Sequence, residues 1–360
     1  MQLRVAFLWL QTGLWPQTGL RPQTGLRLLT GLALLTGIAP LFLRGGDAEA
    51  PEAGRMIKAN AQIHIVANLE KSIAFYREAL GLELDAGPAP LANSALLAQA
   101  VASAPRVRAR SASFIIPGSE MKFVLIEFSG IDKRTVRQRL YDPGVVRFSI
   151  QVRDIDAAFA KAKPYGITVP TSGGGPVFTQ LPRNKTRAVM MQDPDGFVFE
   201  FVQADPLPSS DVPPGSNIYN ARASLVVEDL AKSLPFYRGV FGFKARDPGV
   251  VSDAVLALEG TPQAIARSSI TNPPGATNFW VLWEFSRIER KMLETRVQDP
   301  GSPALSILVE NLPGFLKALK AAGGEVESAG GEPIALSAAA RGVLVRSPDG
   351  LLIELVEKNL

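Results

Sequence analysis

The chain contains four segments in which a short apolar strand runs into an amphipathic helix. In the first segment, residues 63–66 form a largely apolar strand, and Asn68 then suits the N-cap of a helix. Apolar side chains follow at helical spacing at Ile73, Phe75, Tyr76 and Leu80. Gly81 fits the helix end, because glycine adopts the left-handed backbone of a C-terminal cap without strain. The pattern predicts a strand–helix unit over residues 63–81.

The same order recurs three more times. Strands at residues 148–152, 225–227 and 305–309 precede the cap residues Asp154, Asp229 and Asn311. Stretches that favour β-strands follow the helices, as at residues 112–116, 122–128, 188–191 and 198–202. The sequence therefore predicts an α+β fold built from four βαβββ modules.

The second half of the chain repeats the first half at nearly constant spacing. Residues 69–77 return as 230–238, residues 124–129 as 281–286, and residues 193–196 as 347–350. Matched runs of this length indicate an internal duplication. We expect one domain over residues 56–204 and a second over 217–360, joined by a stiff linker at 205–216 that is rich in Pro, Ser and Asp.

Residues 1–55 have the character of a leader. A Gln-Thr-Gly-Leu repeat runs through residues 11–26, and an apolar stretch at 28–43 follows two arginines and precedes small residues at 48–50. This order resembles a secretory signal, which predicts a periplasmic or secreted protein, and the stretch is short for a stable membrane span. If translation starts at Met56 instead, the prediction is a cytoplasmic protein.

Composition narrows the classes of function. A hydrophobic content of 46% with 20% charged residues is typical of a folded globular protein. The net charge of +4 comes from well-mixed basic and acidic residues without a basic cluster, so we expect no nucleic-acid partner. The absence of cysteine excludes thiolate chemistry, and the single histidine, His64, excludes metal sites that need two imidazoles from one chain.

Two sets of motifs resemble the vicinal oxygen chelate superfamily of glyoxalases, extradiol dioxygenases and bleomycin-resistance proteins. The first is the strand–helix unit at residues 66–81 and its echo at 227–242, and the second is the Pro-Asp-Gly turn before Phe199 and before Ile353. The resemblance covers about residues 57–360. It implies that pairs of modules curl their sheets into cups, with helices outside and ligand chemistry on the concave face.

The resemblance also implies where a metal would be held. Metal enzymes of the superfamily take one ligand seven residues before each helix cap and a glutamate late in the last strand of a module. The strand positions here are Ala61, Arg147, Arg222 and Ala304, and the late glutamates are Glu127, Glu200, Glu284 and Glu354. If each copy forms one cup, the first cup holds Ala61, Glu127, Arg147 and Glu200. The second cup then holds Arg222, Glu284, Ala304 and Glu354.

Arginine at ligand positions argues against a metal. A guanidinium has no lone pair to donate, keeps its positive charge and repels a cation. We therefore expect metal-free cups and no cofactor, with candidate ligand-binding residues Arg147, Glu127, Glu200, Arg222, Glu284 and Glu354. The arginines and glutamates have three readings: ion pairs that replace a lost metal, a pocket for an anionic group, or, less favoured, carboxylates that act as general bases.

His64 lies three residues from a ligand position, so strand alternation directs it to the helix side as a packing residue. A one-residue bulge would turn it inward toward Glu127 and Glu200. By the same alternation, Trp283 and Phe285 share a face opposite Glu284. Aromatic residues at such positions are more often part of the core than of a ligand site. Residues 92–102 lack a similar segment in the second copy and predict a short helix, either on the surface or covering the first cup.

The leading functional expectation is metal-independent binding of a small anionic or aromatic molecule in the cups. The alternatives are a metal-dependent lyase, isomerase or dioxygenase, and a structural or interaction module with filled cups. We expect either a monomer whose two domains form a pseudo-dimer or a homodimer.

Overall fold

In a computed structural model, residues 53–180 and 185–358 are described. The predicted leader lies outside these ranges apart from residues 53–55. The chain from Glu49 to Leu360 is one compact unit. None of the helices in the described ranges has the length and apolar character that a membrane crossing requires.

All four predicted modules are present. Module 1 consists of β1 (Arg55–Ile65), α1 (Leu69–Ala74), β2 (Glu83–Pro90), α2 (Ala95–Ser103), β3 (Arg108–Ile115) and β4 (Lys122–Ser129). Module 2 consists of β5 (Val146–Val152), α3 (Ile155–Ala162), β6 (Val177–Gln180), β7 (Lys185–Gln192) and β8 (Val198–Asp205). Helix α1 continues as a π-helical turn over Phe75–Ala79, and α3 as a 3₁₀ turn over Lys163–Tyr165.

The second copy has the same plan. Module 3 consists of β9 (Ile218–Val226), α4 (Leu230–Phe241), β10 (Lys244–Ala245), β11 (Gly249–Val250), α5 (Asp253–Leu258), β12 (Ile265–Asn272) and β13 (Trp280–Ser286). Module 4 consists of β14 (Pro303–Glu310), α6 (Leu312–Ala321), β15 (Glu325–Val326), a 3₁₀ turn (Ala329–Gly331), β16 (Ile334–Ser337), β17 (Ala340–Arg346) and β18 (Leu352–Lys358).

The four module helices begin where the sequence predicts. The side chains of the expected cap residues each accept a hydrogen bond from a backbone N–H in the first turn, which satisfies a donor that has no partner within the helix. These caps are Asn68, Asp154, Asp229 and Asn311.

The strands form two nine-stranded sheets within the described residues, and each sheet joins modules from different copies. In the first sheet β1 pairs antiparallel with β14, which joins module 1 to module 4. In the second sheet β5 pairs antiparallel with β9, which joins module 2 to module 3. The expectation of one cup per sequence copy is therefore wrong. Local patterning specifies which face of a strand is buried, but it does not specify which strand adds to which edge.

The helix-bearing faces of the two sheets share one hydrophobic core. Phe123 of β4 stacks on Phe148 of β5, with ring centroids 4.5 Å apart and an interplanar angle of 7°. On the modules of the second copy, Phe241 of α4 meets Phe315 of α6 edge to face at 5.2 Å. These contacts hold the sheets together through their helical layers and leave each concave face with a core of its own.

A short helix enters each concave face. In the cup of modules 1 and 4, Leu96 and Ala100 of α2 are buried in the cluster that contains Ala61 and Ala304. In the cup of modules 2 and 3, Leu256 and Leu258 of α5 are buried with Phe285. Residues 92–102 therefore contribute to a helix that fills part of a cup, which we call the plug, and do not form a surface helix. In the second copy, α5 is the corresponding plug helix.

Candidate functional site

The pairing of β5 with β9 brings both predicted arginines into one cup. Three pairs of polar residues lie along the concave side of these strands. They are Gln151 opposite Asn220, Ser149 opposite Arg222, and Arg147 opposite Ser224. The residues between them, such as Phe148 and Ala223, belong to the core on the helix side. Strand alternation therefore gives this cup a polar central stripe.

The register identifies the equivalent positions in the last strands. Glu200 lies beside Ser149, and Glu354 lies beside Ser306. Each of these serines comes two residues after a predicted strand position, Arg147 or Ala304. The same register selects Val124 in module 1 and Val281 in module 3. Each cup thus carries one late glutamate rather than two.

Glu127 and Glu284 were wrongly expected to line a cup. Glu127 accepts a hydrogen bond from the backbone N–H of Leu69 at 3.2 Å, and Glu284 accepts one from Leu230 at 2.8 Å, so both anchor the first turn of a module helix on the opposite face. Each lies three residues beyond the cup position, and an odd spacing along a strand reverses the face.

The other two modules use the same anchor at positions that the sequence reading missed. Gln203 accepts from the N–H of Ile155 at 2.9 Å, and Glu357 accepts from Leu312 at 2.9 Å. Position, rather than charge, is common to all four anchors. Each anchor lies three residues beyond the cup position of the same strand, and this spacing is constant in all four modules.

We expect Glu284→Ala to lower the free energy of unfolding by about 1–2 kcal/mol, because it leaves a helix N–H without its acceptor. Glu284→Gln should recover most of this loss, since module 2 already uses Gln203 at the equivalent position. Urea unfolding of both variants measures the effect. An equal loss in both variants would contradict the anchoring role.

Arg147 is fully buried and paired inside the cup. Its Nη1 donates to Glu259 Oε1 at 2.7 Å, its Nη2 donates to the carbonyl of Leu140 at 2.5 Å, and its guanidinium lies over the rings of Trp283 and Phe285. Burial raises the pKa of Glu259 to about 7, although Arg147 opposes the shift. Glu259 follows α5, and no local pattern in the sequence marked it.

Glu200 and Arg222 form the middle of the polar stripe. The Ser149 hydroxyl donates a hydrogen bond to Glu200. Burial raises the pKa of Glu200, and the charges of Arg222 and Arg147 oppose that rise. Arg222 makes no hydrogen bond or ion pair to any described residue; its Nε is buried without a partner, and its guanidinium lies 4.4 Å from the ring centroid of Phe279.

An open cleft of about 810 Å³ adjoins the end of the stripe formed by Gln151 and Asn220. Its wall includes Gln151, Asn220 and Phe279, and residues 208–213 of the linker form the opposite side. Arg153 holds the linker by donating to the carbonyls of Val212 and Ser216. Phe279 shares the face of Trp283 and Phe285, so strand alternation identifies it as a wall residue.

Several buried polar atoms along the stripe and beside it lack a protein partner. They are Gln151 Nε2, Arg222 Nε, Arg147 Nε, Glu259 Oε2, Thr261 Oγ1 and Trp283 Nε1. Buried polar groups without partners are rare and are satisfied in solution by water or a ligand. The cup of modules 2 and 3 therefore has unmet hydrogen-bonding capacity next to an open cleft.

The cup of modules 1 and 4 has no arginine at its strand positions, and its glutamate has protein partners. Ala61 and Ala304 stand at its strand positions, and Glu354 accepts hydrogen bonds from Ser94 Oγ at 2.8 Å and from the Ala95 N–H at 2.7 Å. Burial raises the pKa of Glu354, and these hydrogen bonds oppose the shift. Its carboxylate thus fixes the first turn of the α2 plug.

The donor sets of the cups do not suit the divalent metal of the superfamily's enzymes. At the family positions each cup offers a single carboxylate, accompanied by two arginines in one cup and two alanines in the other. A metal site of this kind needs at least three donor atoms with a lone pair available to the ion.

His64 lies on the helix side, as strand alternation predicted. It is buried, its Nε2 is 2.8 Å from Asp193 Oδ2, and its ring stacks on Phe197 at 4.3 Å. Tyr76 donates to the same carboxylate oxygen at 2.9 Å. The inward orientation beside Glu127 and Glu200 is therefore excluded.

Similar folds occur among solved structures. Glyoxalase I from Zea mays is 19% identical, with 85% of this chain and 92% of that chain covered and a TM-score of 0.52. A putative dioxygenase from Bacillus subtilis is 14% identical, with coverages of 85% and 86% and a TM-score of 0.51. No curated protein sequence matches the chain.

The sequence profile of one family matches both copies, over residues 62–201 and 221–355. These two matches, the four βαβββ modules and the two curled sheets agree. The chain is therefore a tandem member of the Glyoxalase/Bleomycin resistance protein/Dioxygenase superfamily.

Proposed function

We propose that the cup of modules 2 and 3 binds, without a metal, a small molecule that carries an anionic group and a flat apolar part. The observation that carries the proposal is Arg222, whose guanidinium forms no hydrogen bond or ion pair with any described residue and lies over Phe279, a wall residue of the open cleft. A bound carboxylate would accept charge-assisted hydrogen bonds there and supply the missing acceptor.

The rest of the wall suits the apolar part of such a molecule. Phe279 offers a ring face at the cleft, while Gln151 and Asn220 offer polar groups to its rim. Small-molecule sites commonly combine a mostly apolar wall with a few placed polar groups. Arg147 has a supporting role here, since its guanidinium is already used by Glu259 and the Leu140 carbonyl.

The metal-dependent alternative is less well supported. Two guanidinium groups in the same cup disfavour a cation, and Glu200 is the only carboxylate at the family's ligand positions there. A filled structural module remains the opposing hypothesis, because α5 already occupies the inner part of the cup.

A thermal-shift comparison tests binding. Benzoate and phenylacetate are compared with neutral benzyl alcohol, because a ligand of the folded state raises the midpoint of unfolding. We expect stabilisation by the two anions and none by the alcohol. Stabilisation by no compound in this set or in a wider screen of aromatic carboxylates would favour the filled module.

Arg222→Gln should weaken binding of the anionic ligands about 10–100-fold, since hydrogen bonds to charged groups contribute about 1.5–3 kcal/mol. Arg77→Gln is the matched control, because Arg77 is an exposed arginine on the π-helical turn after α1. Isothermal titration measures both variants. Equal affinities for the wild type and Arg222→Gln would remove Arg222 from the site.

A further inference from the structure

A second polar cluster lies outside both cups, on the helix side of module 1. It contains His64, Asp193 and Asp195, which each offer one ligand atom, and these atoms all lie within 4.8 Å of one another. It is the one such group of His, Asp and Glu among the described residues. Asp193 and Asp195 also line a cavity of about 440 Å³ that borders α1.

The other half of the chain shows what the fold requires at this place. There Asp349 accepts from the Glu228 N–H and the Ser233 hydroxyl, as Asp195 accepts from Ala67 and Ser72. Ser347 accepts from the Leu351 N–H, as Asp193 Oδ1 accepts from Phe197. A serine oxygen is therefore enough for the turn.

His64 exceeds that requirement, and its Nε2 is 2.8 Å from Asp193 Oδ2, which also accepts from the Tyr76 hydroxyl at 2.9 Å. The equivalent of His64, counted from the helix caps Asn68 and Asp229, is the apolar Leu225. The chain thus places its single histidine and an additional carboxylate together in one copy, where the other copy has leucine and serine.

The two carboxylates of the cluster have no lysine or arginine partner. Within the described ranges neither Asp193 nor Asp195 forms an ion pair with Lys or Arg, although Lys71 borders the same cavity. His64 Nδ1 is also buried without a hydrogen-bond partner. Buried charge is costly unless it is paired or coordinates a metal.

We propose that His64, Asp193 and Asp195 bind a divalent transition-metal ion such as Zn²⁺, with water from the adjacent cavity completing its coordination. One imidazole and two carboxylates are a usual donor set for this ion, at about 2.0–2.2 Å from each donor. The ion would replace the contact between His64 Nε2 and Asp193 Oδ2. The wall of the cavity includes both carboxylates, and His64 is buried beyond it against Asp193. This site is independent of the ligand proposed for the cup.

Zinc retention by the untagged full chain tests the proposal, because a purification tag would add histidines. After equilibration with Zn²⁺ and dialysis against metal-free buffer, elemental analysis should find about one ion per chain. The double variant His64→Leu/Asp193→Ser introduces the residues of the other copy and should lower zinc affinity at least about 10-fold with its thermal unfolding still cooperative. Glu200→Gln is the control in the cup and should retain zinc.

NMR gives a second measurement that does not depend on a variant's folding. The imidazole of His64 is the only one in the chain, so its ring resonances should shift on addition of stoichiometric Zn²⁺. Absence of retained zinc, unshifted resonances, or undiminished zinc in the double variant would each overturn the proposal. Loss of zinc in Glu200→Gln alone would place the ion in the cup and overturn it as well.

Discussion

Arg147→Met should lower the free energy of unfolding by about 3–5 kcal/mol at pH 8, the cost of breaking a buried ion pair by removing one partner. The side chains of Arg147 and Glu259 are fully buried, and they form an ion pair with an N–O distance of 2.7 Å. The variant leaves the Glu259 carboxylate without its cation and also removes the donor to the Leu140 carbonyl.

The double variant Arg147→Met/Glu259→Leu should recover most of that loss, because replacing both members of a buried pair by apolar groups of similar size is often close to neutral. Urea unfolding of the two single variants and the double variant measures the coupling. Arg77→Met, at an exposed site, is the control and should change stability little. Additive losses in the double variant would contradict a direct pair.

Stability should also fall as pH rises from about 4.5 to 7, by up to about 3 kcal/mol from Glu259 alone. Burial raises the pKa of this carboxyl to about 7 in the folded protein, above its ordinary value of 4.5. The folded state therefore binds a proton that the unfolded state has released. The stabilisation is complete below the unfolded pKa and is lost as pH rises through the folded pKa.

Glu259→Gln should remove this part of the pH dependence, because an amide does not titrate. Unfolding free energies of the variant and the wild type, measured in urea at several pH values between 4.5 and 8, isolate the contribution of Glu259. Glu332→Gln serves as the control at an exposed position. Parallel pH profiles for the wild type and Glu259→Gln would show that burial does not raise the pKa of Glu259.

Features that depend on nearby residues were predictable from the sequence. The caps at Asn68, Asp154, Asp229 and Asn311 were identified because a helix start needs a short polar side chain beside an apolar periodicity. Alternation along β1 placed His64 on the helix side. The four modules follow from the same local rules and from the internal repeat.

The sequence did not always determine on which face of the sheet the side chain of a strand residue lies. Glu127 and Glu284 were placed in the cups, although both anchor helices on the opposite face. A shift of one residue along a strand exchanges the two faces, and the resemblance to the superfamily located these glutamates without a register. Only the pairing of Ser149 with Glu200 and of Ser306 with Glu354 identified the equivalent positions.

The sequence by itself determined the modules, their helix caps and the residue types at each strand position. Tertiary structure alone decided that module 2 pairs with module 3, so that Arg147 and Arg222 meet in one cup and the other cup is apolar around Glu354. It also brought Glu259 to Arg147 across 112 residues of chain. The physical reason is that strand edges present the same backbone groups in every module, so the choice of partner depends on how the whole chain buries its apolar faces.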